Sequence, residues 1–160
     1  MGIENIYYQD ESGFDEYYTR THGYSIKGNN HRIHIQVSGK RYERQSVMAL
    51  RNNNHLLIHP MIYQDTANSN TVYAYFQDCL PKLTTPSVII LDNASYHKSK
   101  QLEDLFNQHN HILIFLPAYS PDLNPIEQLW GSIKQQLRNY YDYSLTLYEN
   151  LSLAVCKYCV

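Results

Sequence analysis

Asp10, Asp92 and Glu127 are the residues whose types and positions could do chemistry together. Asp92 follows the apolar run Ser87–Leu91, the pattern of a strand buried on both faces, so its charge stands at a poorly solvated sheet edge. Asp10 ends a first short apolar run, and in open α/β sheets the carboxyl ends of strands are the usual site positions. Glu127 falls in the first turn of a helix beside the buried face marked by Ile126. Three carboxylates from two strand ends and one helix could converge on hard divalent ions. Mg²⁺ takes such oxygen ligands and completes its octahedron with water and phosphate. Each also has a plainer role: the aspartates could open turns, and Glu127 could complete a capping box begun at Asn124.

The elements that must position them follow from periodicity. Ile3–Gln9 reads as a strand closed by a turn at 10–13. Ile33, Ile35 and Val37 alternate with polar residues, and Tyr42–Leu50 and Leu56–Tyr63 are two more extended runs, together an antiparallel meander. Asn70–Leu83 has helical spacing with Pro81 near its end. Lys98–Gln108 is amphipathic, and His111–Leu116 reads as another buried strand. Asn124 caps a helix with Pro125 at its first position; Ile126, Leu129, Trp130, Ile133 and Leu137 form its apolar face, with Trp130 in the core. Residues 145–158 form a last helix. Three antiparallel strands followed by βα units give an α/β class, one mixed five-stranded sheet flanked by helices.

The chain has 160 residues, room for a single domain over 1–160. A 43% apolar and 18% charged composition excludes wholesale disorder. No apolar run is long enough to span a membrane, and residues 1–11 lack a signal-peptide pattern. Cys79, Cys156 and Cys159 read as free, partly buried thiols in a reducing compartment, hence a cytoplasmic location. The net charge of −2 speaks against a simple basic nucleic-acid binder. It hides an asymmetry, because residues 20–59 carry seven Lys or Arg against Glu43 alone. Such a stretch can still face phosphates. The 16 tyrosines have no reading from sequence.

The combination is more specific than its parts. Asp92-Asn93-Ala94-Ser95-Tyr96-His97-Lys98 and Leu116-Pro117-Ala118-Tyr119-Ser120-Pro121-Asp122-Leu123-Asn124-Pro125-Ile126-Glu127-Gln128-Leu129-Trp130 resemble motifs of the DDE transposases of the mariner superfamily, in the spelling of its bacterial insertion-sequence branch. Tyr7–Phe14 resembles the family's first acidic motif, and Arg20–Gly28 the segment after it, with Tyr24 where the family usually has Trp. The 34 residues between Asp92 and Glu127 match the family's spacing, and the likeness runs from about residue 5 to 140.

The resemblance implies a ribonuclease-H-like fold and a catalytic triad of Asp10, Asp92 and Glu127 holding two Mg²⁺ or Mn²⁺. It implies DNA cleavage at element ends and strand transfer into target DNA, at a TA dinucleotide. Asn93, His97 and Lys98 are candidate supporting or DNA-contacting residues, as are Arg20 and Lys27, while Tyr119 and Asn124 are expected to shape the loop that aims Glu127. Glu11 is left out of the triad, since strand neighbours point to opposite faces. Family members carry helix-turn-helix units ahead of the catalytic domain, and the first motif here begins at about residue 7. The expectation is a domain without that module, either the second frame of a split transposase completed by an N-terminal DNA-binding polypeptide from an overlapping frame or an excised or truncated piece of a longer protein, and a homodimer on DNA. The alternatives are a partial, inactive fragment that binds DNA or transposase subunits, and another ribonuclease-H-like nuclease.

Overall fold

Alternation in β1 (Ile6–Asp15) gives the sheet its two faces. The computed structural model describes residues 5–16, 43–64, 66–118 and 120–159. β1 pairs antiparallel with β2 (Arg44–Arg51), and β2 pairs antiparallel with β3 (Leu57–Gln64). On its other edge β1 pairs in parallel with β4 (Val88–Leu91), which pairs in parallel with β5 (Ile112–Phe115). The order is β3-β2-β1-β4-β5, the mixed five-stranded sheet expected from the element sequence.

Helices cover both faces. Asp10, Ser12 and Phe14 lie opposite Ala49, Val47 and Gln45. On that side Phe14, Val47 and Ala49 pack against α3 (Ile126–Tyr140) and α4 (Leu147–Cys156) through Trp130, Ile133 and Leu151. The opposite face, with Met48 and Leu50, packs against α1 (Ser69–Cys79) and α2 (Lys100–Gln108) through Val72, Phe76, Leu102 and Phe106. Side-chain oxygens satisfy the open N–H groups of three helices: Asn68 caps α1, Ser99 caps α2 and Thr146 forms a capping box with Glu149 on α4.

Several expectations change. β1 does not end at Asp10 but runs to Asp15, because β2 continues to pair with it after β4 has stopped. α1 closes at Cys79, and Pro81 sits in a following 3-10 turn. Lys98 precedes α2, separated from it by the capping Ser99. β5 is not buried on both faces. Ile112 and Ile114 are 48% and 45% exposed, since β5 is an edge strand and α3 and α4 lie over β1, β2 and β3. β4 is fully buried only at Ile89 and Leu91, with Val88 and Ile90 half-buried. The run Ile33–Val37 lies outside the described residues. β2 and β3 lose register between Met48 and Leu50, where His59 takes a φ of 50° and Pro60, which has no N–H to donate, follows.

Candidate active site

The parallel pair sets the geometry. Tyr8 of β1 lies beside Ile90 of β4, the last matched position. Continuing that register brings Asp10 level with Asp92, just past the end of β4, and puts both on the face that α3 and α4 share. Asp10 is therefore a mid-strand residue at the point where β1 loses its parallel neighbour. Glu127 approaches from the first turn of α3. All three carboxylates line one cavity of about 390 Å³, with Asn93, Leu116 and Asn124 in its wall.

The three differ in environment. Asp10 is buried, and its Oδ2 accepts from the Trp130 indole N–H at 3.0 Å. Burial, then the nearby negative charges of Glu127 and Glu11, pushes its pKa up to about 8; the Trp130 bond opposes this. Asp92 is half-exposed, with Oδ1 2.7 Å from His97 Nδ1 and accepting from the Ala94 N–H at 3.1 Å. The His97 hydrogen bond is the main reason that its carboxyl is held below the usual range. Glu127 is exposed at the cavity wall. One face thus holds a carboxyl pushed up by burial beside one held down by a hydrogen bond.

The supporting candidates divide. Asn93 lines the cavity, and His97 is buried behind Asp92 rather than open to solvent. Lys98 is exposed just after the 3-10 turn Ser95–His97. Asn124 is not the cap that the motif suggests: α3 begins at Ile126 with Pro125 ahead of it, and no side chain caps it. Instead Asn124 is 4% exposed, lines the cavity, and its Oδ1 has no hydrogen-bond partner. An unpaired buried amide oxygen is costly unless something else uses it. Arg20, Lys27 and Tyr119 lie outside the described residues.

Two residues emerge that spacing alone did not assign to the site. Trp130 is core, as expected, yet its indole N–H holds Asp10. A buried indole N–H needs an acceptor, and Trp130 stands three residues after Glu127 on the same helix, which was the available signal. Glu11 faces away from Asp10, as strand geometry requires, but accepts from the Tyr96 hydroxyl and lies near His97.

The donor set fits a hard cation. The cavity offers oxygen ligands from Asp10, Asp92 and Glu127 and amide oxygens from Asn93 or Asn124, and a divalent ion would offset the burial cost and the repulsion that raise the Asp10 pKa. As they stand, no three His, Cys, Asp or Glu side chains among the described residues are gathered tightly enough to hold one ion, so binding requires the carboxylates to close in.

Comparison with known proteins agrees with this architecture. Over 47 residues the chain is 40% identical to the Tcb2 transposase of Caenorhabditis briggsae, covering 29% of this chain and 17% of that protein. Over 40 residues it is 52% identical to the Tc3 transposase of Caenorhabditis elegans, covering 25% and 12%. These matches span well under a quarter of each relative's length. The fold superposes on a Mos1 strand transfer complex with a TM-score of 0.76 at 16% identity, over 97% of this chain and 47% of that one. It also superposes on the catalytic core of BIV integrase with a TM-score of 0.63 at 13% identity, over 96% and 82%. The sheet and its flanking helices are therefore those of the ribonuclease-H-like catalytic cores of transposases and integrases. The profile of the DDE superfamily endonucleases matches residues 5–147, most of the chain, and the chain belongs to that family.

Proposed function

We propose that this chain is the catalytic domain of a mariner-superfamily transposase, cutting DNA at the ends of a mobile element and joining the freed 3′ end to target DNA. The observation that carries this reading is the single cavity lined by Asp10, Asp92 and Glu127 at the end of the parallel strands. The motif spelling favours the bacterial insertion-sequence branch, and with it a cytoplasmic protein. Two Mg²⁺ or Mn²⁺ ions held by the three carboxylates would activate the attacking oxygen and stabilise the leaving 3′ oxygen during in-line displacement at phosphorus.

The chain's own residues supply position and charge, which is most of what phosphoryl transfer asks of a protein. Trp130 fixes one oxygen of Asp10. His97 and the Ala94 N–H fix Oδ1 of Asp92. The Asn124 amide, buried and unpaired at its oxygen, is placed to orient a ligand water or phosphate. Lys98, exposed beyond the turn, is free to meet the DNA backbone, with Arg20 and Lys27 as further cationic candidates. Pairing two DNA ends calls for two subunits, so the working form would be a homodimer on DNA. End recognition would come from a helix-turn-helix partner segment or polypeptide.

A plasmid-nicking assay with Mg²⁺ or Mn²⁺ tests the reading. The wild type is expected to convert supercoiled plasmid to open circles, and Asp92→Asn and Glu127→Gln to lose that activity by at least 100-fold, on the order of a lost essential electrostatic group. Equal activity in all three would sink the triad and leave a fragment that only binds DNA or subunits.

A further inference from the structure

Asp92 is backed by a buried histidine. Its side chain is 46% accessible, yet His97 behind it is 1% exposed. His97 cannot choose its own orientation, because a ring that gives Nδ1 to Asp92 must direct Nε2 elsewhere. The only carboxylate that the described structure pairs with Nε2 is Glu11, with Oε2 at 3.9 Å. Both atoms are buried and neither has a hydrogen-bond partner. Glu11 is itself held, since its Oε1 accepts from the Tyr96 hydroxyl. The Tyr96 ring packs edge-on against the His97 ring, with centroids 4.5 Å apart at 70°. A chain of side chains therefore runs from Tyr96 to Glu11, on to His97 and then to Asp92.

Strand alternation explains why Glu11 can do this. Asp10 points to the cavity face, so its neighbour Glu11 points to the opposite face, where the turn Ser95–His97 meets it. The dipeptide thus reaches the site from two sides, Asp10 lining the cavity and Glu11 backing the residue that aims Asp92. A carboxylate with one buried oxygen unpaired is a poor choice for stability alone.

We propose that Glu11 is a positioning residue that acts through His97 to fix the Asp92 carboxylate for divalent-metal binding. It rests on the carboxylate metal site proposed above. Outer partners of metal ligands commonly change affinity by about 10- to 100-fold when removed.

Calorimetric titration of Mn²⁺ into the full chain tests it without recourse to activity. Glu11→Ala is expected to weaken Mn²⁺ binding about tenfold or more, and Glu11→Gln, which keeps the side chain's length beside His97 and the acceptor for Tyr96, to recover most of the loss. In a His97→Gln background, Glu11→Ala is expected to cost nothing further, because its effect passes through His97. If Glu11→Ala does not fold, Glu11→Leu replaces it, an apolar side chain of similar size that leaves no buried oxygen to satisfy. Wild-type affinity in the truncated variant, no recovery by Glu11→Gln, or losses that add in the double variant would overturn the proposal. Asp92→Asn separates the two claims. If it loses Mn²⁺ while Glu11 variants do not, only the positioning role fails; if it binds Mn²⁺ like the wild type, the site fails and both fall.

Discussion

Trp130 joins the core to the site through one hydrogen bond, and that bond can be removed without emptying the core. Trp130→Phe keeps an aromatic ring against Phe14, whose ring centroid lies 6.3 Å away, but releases Oδ2 of Asp10. The expected result is a folded protein that needs about tenfold more metal for nicking, read from an Mg²⁺ titration of the rate. Trp130→Ala instead opens a cavity and costs about 3–5 kcal/mol of stability, read by urea unfolding. Cysteine chemistry offers a second check at this scale. Burial pushes the Cys79 thiol up to about 12, so at pH 8 it stays protonated and shielded, whereas Cys156 is exposed. Iodoacetamide followed by mass spectrometry is expected to label Cys156 rapidly and Cys79 only on unfolding. That three carboxylates come to line one cavity was legible in the sequence, because motif order and spacing marked them. The contacts of Glu11 and Trp130 and the unpaired amide oxygen of Asn124 were not, since they depend on which partner a side chain meets across the fold. The excess of tyrosine gains a partial account from Tyr96, which holds Glu11, and Tyr75, buried on α1.

At the level of elements, the fourth helix carries the cleanest test of a local rule. Thr146 accepts from the Glu149 N–H, and Glu149 accepts in return from the Thr146 N–H and hydroxyl. Thr146→Ala is expected to lower Tm by about 2–4 °C near neutral pH. Those bonds, the backbone one foremost, hold the Glu149 carboxyl below its ordinary range. Its contribution is therefore complete above the ordinary carboxylate pKa and fades as pH falls through the depressed value. The Tm gap between wild type and variant should narrow in acid; a gap that widens there would contradict the cap. Apolar periodicity located α1, α2, α3 and α4 to within a few residues, because each must bury one stripe. It placed β1 too short, since Asp10, Glu11, Ser12 and Gly13 look like a turn until β2 is there to pair with them. It also buried β5 too deeply, because an apolar run does not reveal that its strand stands at an edge with one face uncovered.

The whole molecule combines an acidic cavity with cationic residues concentrated in 20–59, and the acids elsewhere in the chain outweigh that stretch to leave a net charge of −2. If the cationic stretch meets phosphates, binding to random duplex is expected to be weak, indifferent to sequence and steeply salt-dependent, falling by about tenfold or more between 50 and 200 mM salt in fluorescence anisotropy. A flat salt response would remove DNA-backbone contact as the role of that stretch. The catalysis proposed for this chain, by contrast, would require closure of three carboxylates that line one cavity without yet forming a ligand set. Anomalous diffraction from crystals soaked in Mn²⁺ tests that closure directly. The expected result is manganese in the cavity, bound by oxygens of Asp10, Asp92 and Glu127; manganese found only elsewhere, or in the cavity without any of these three carboxylates, would contradict it.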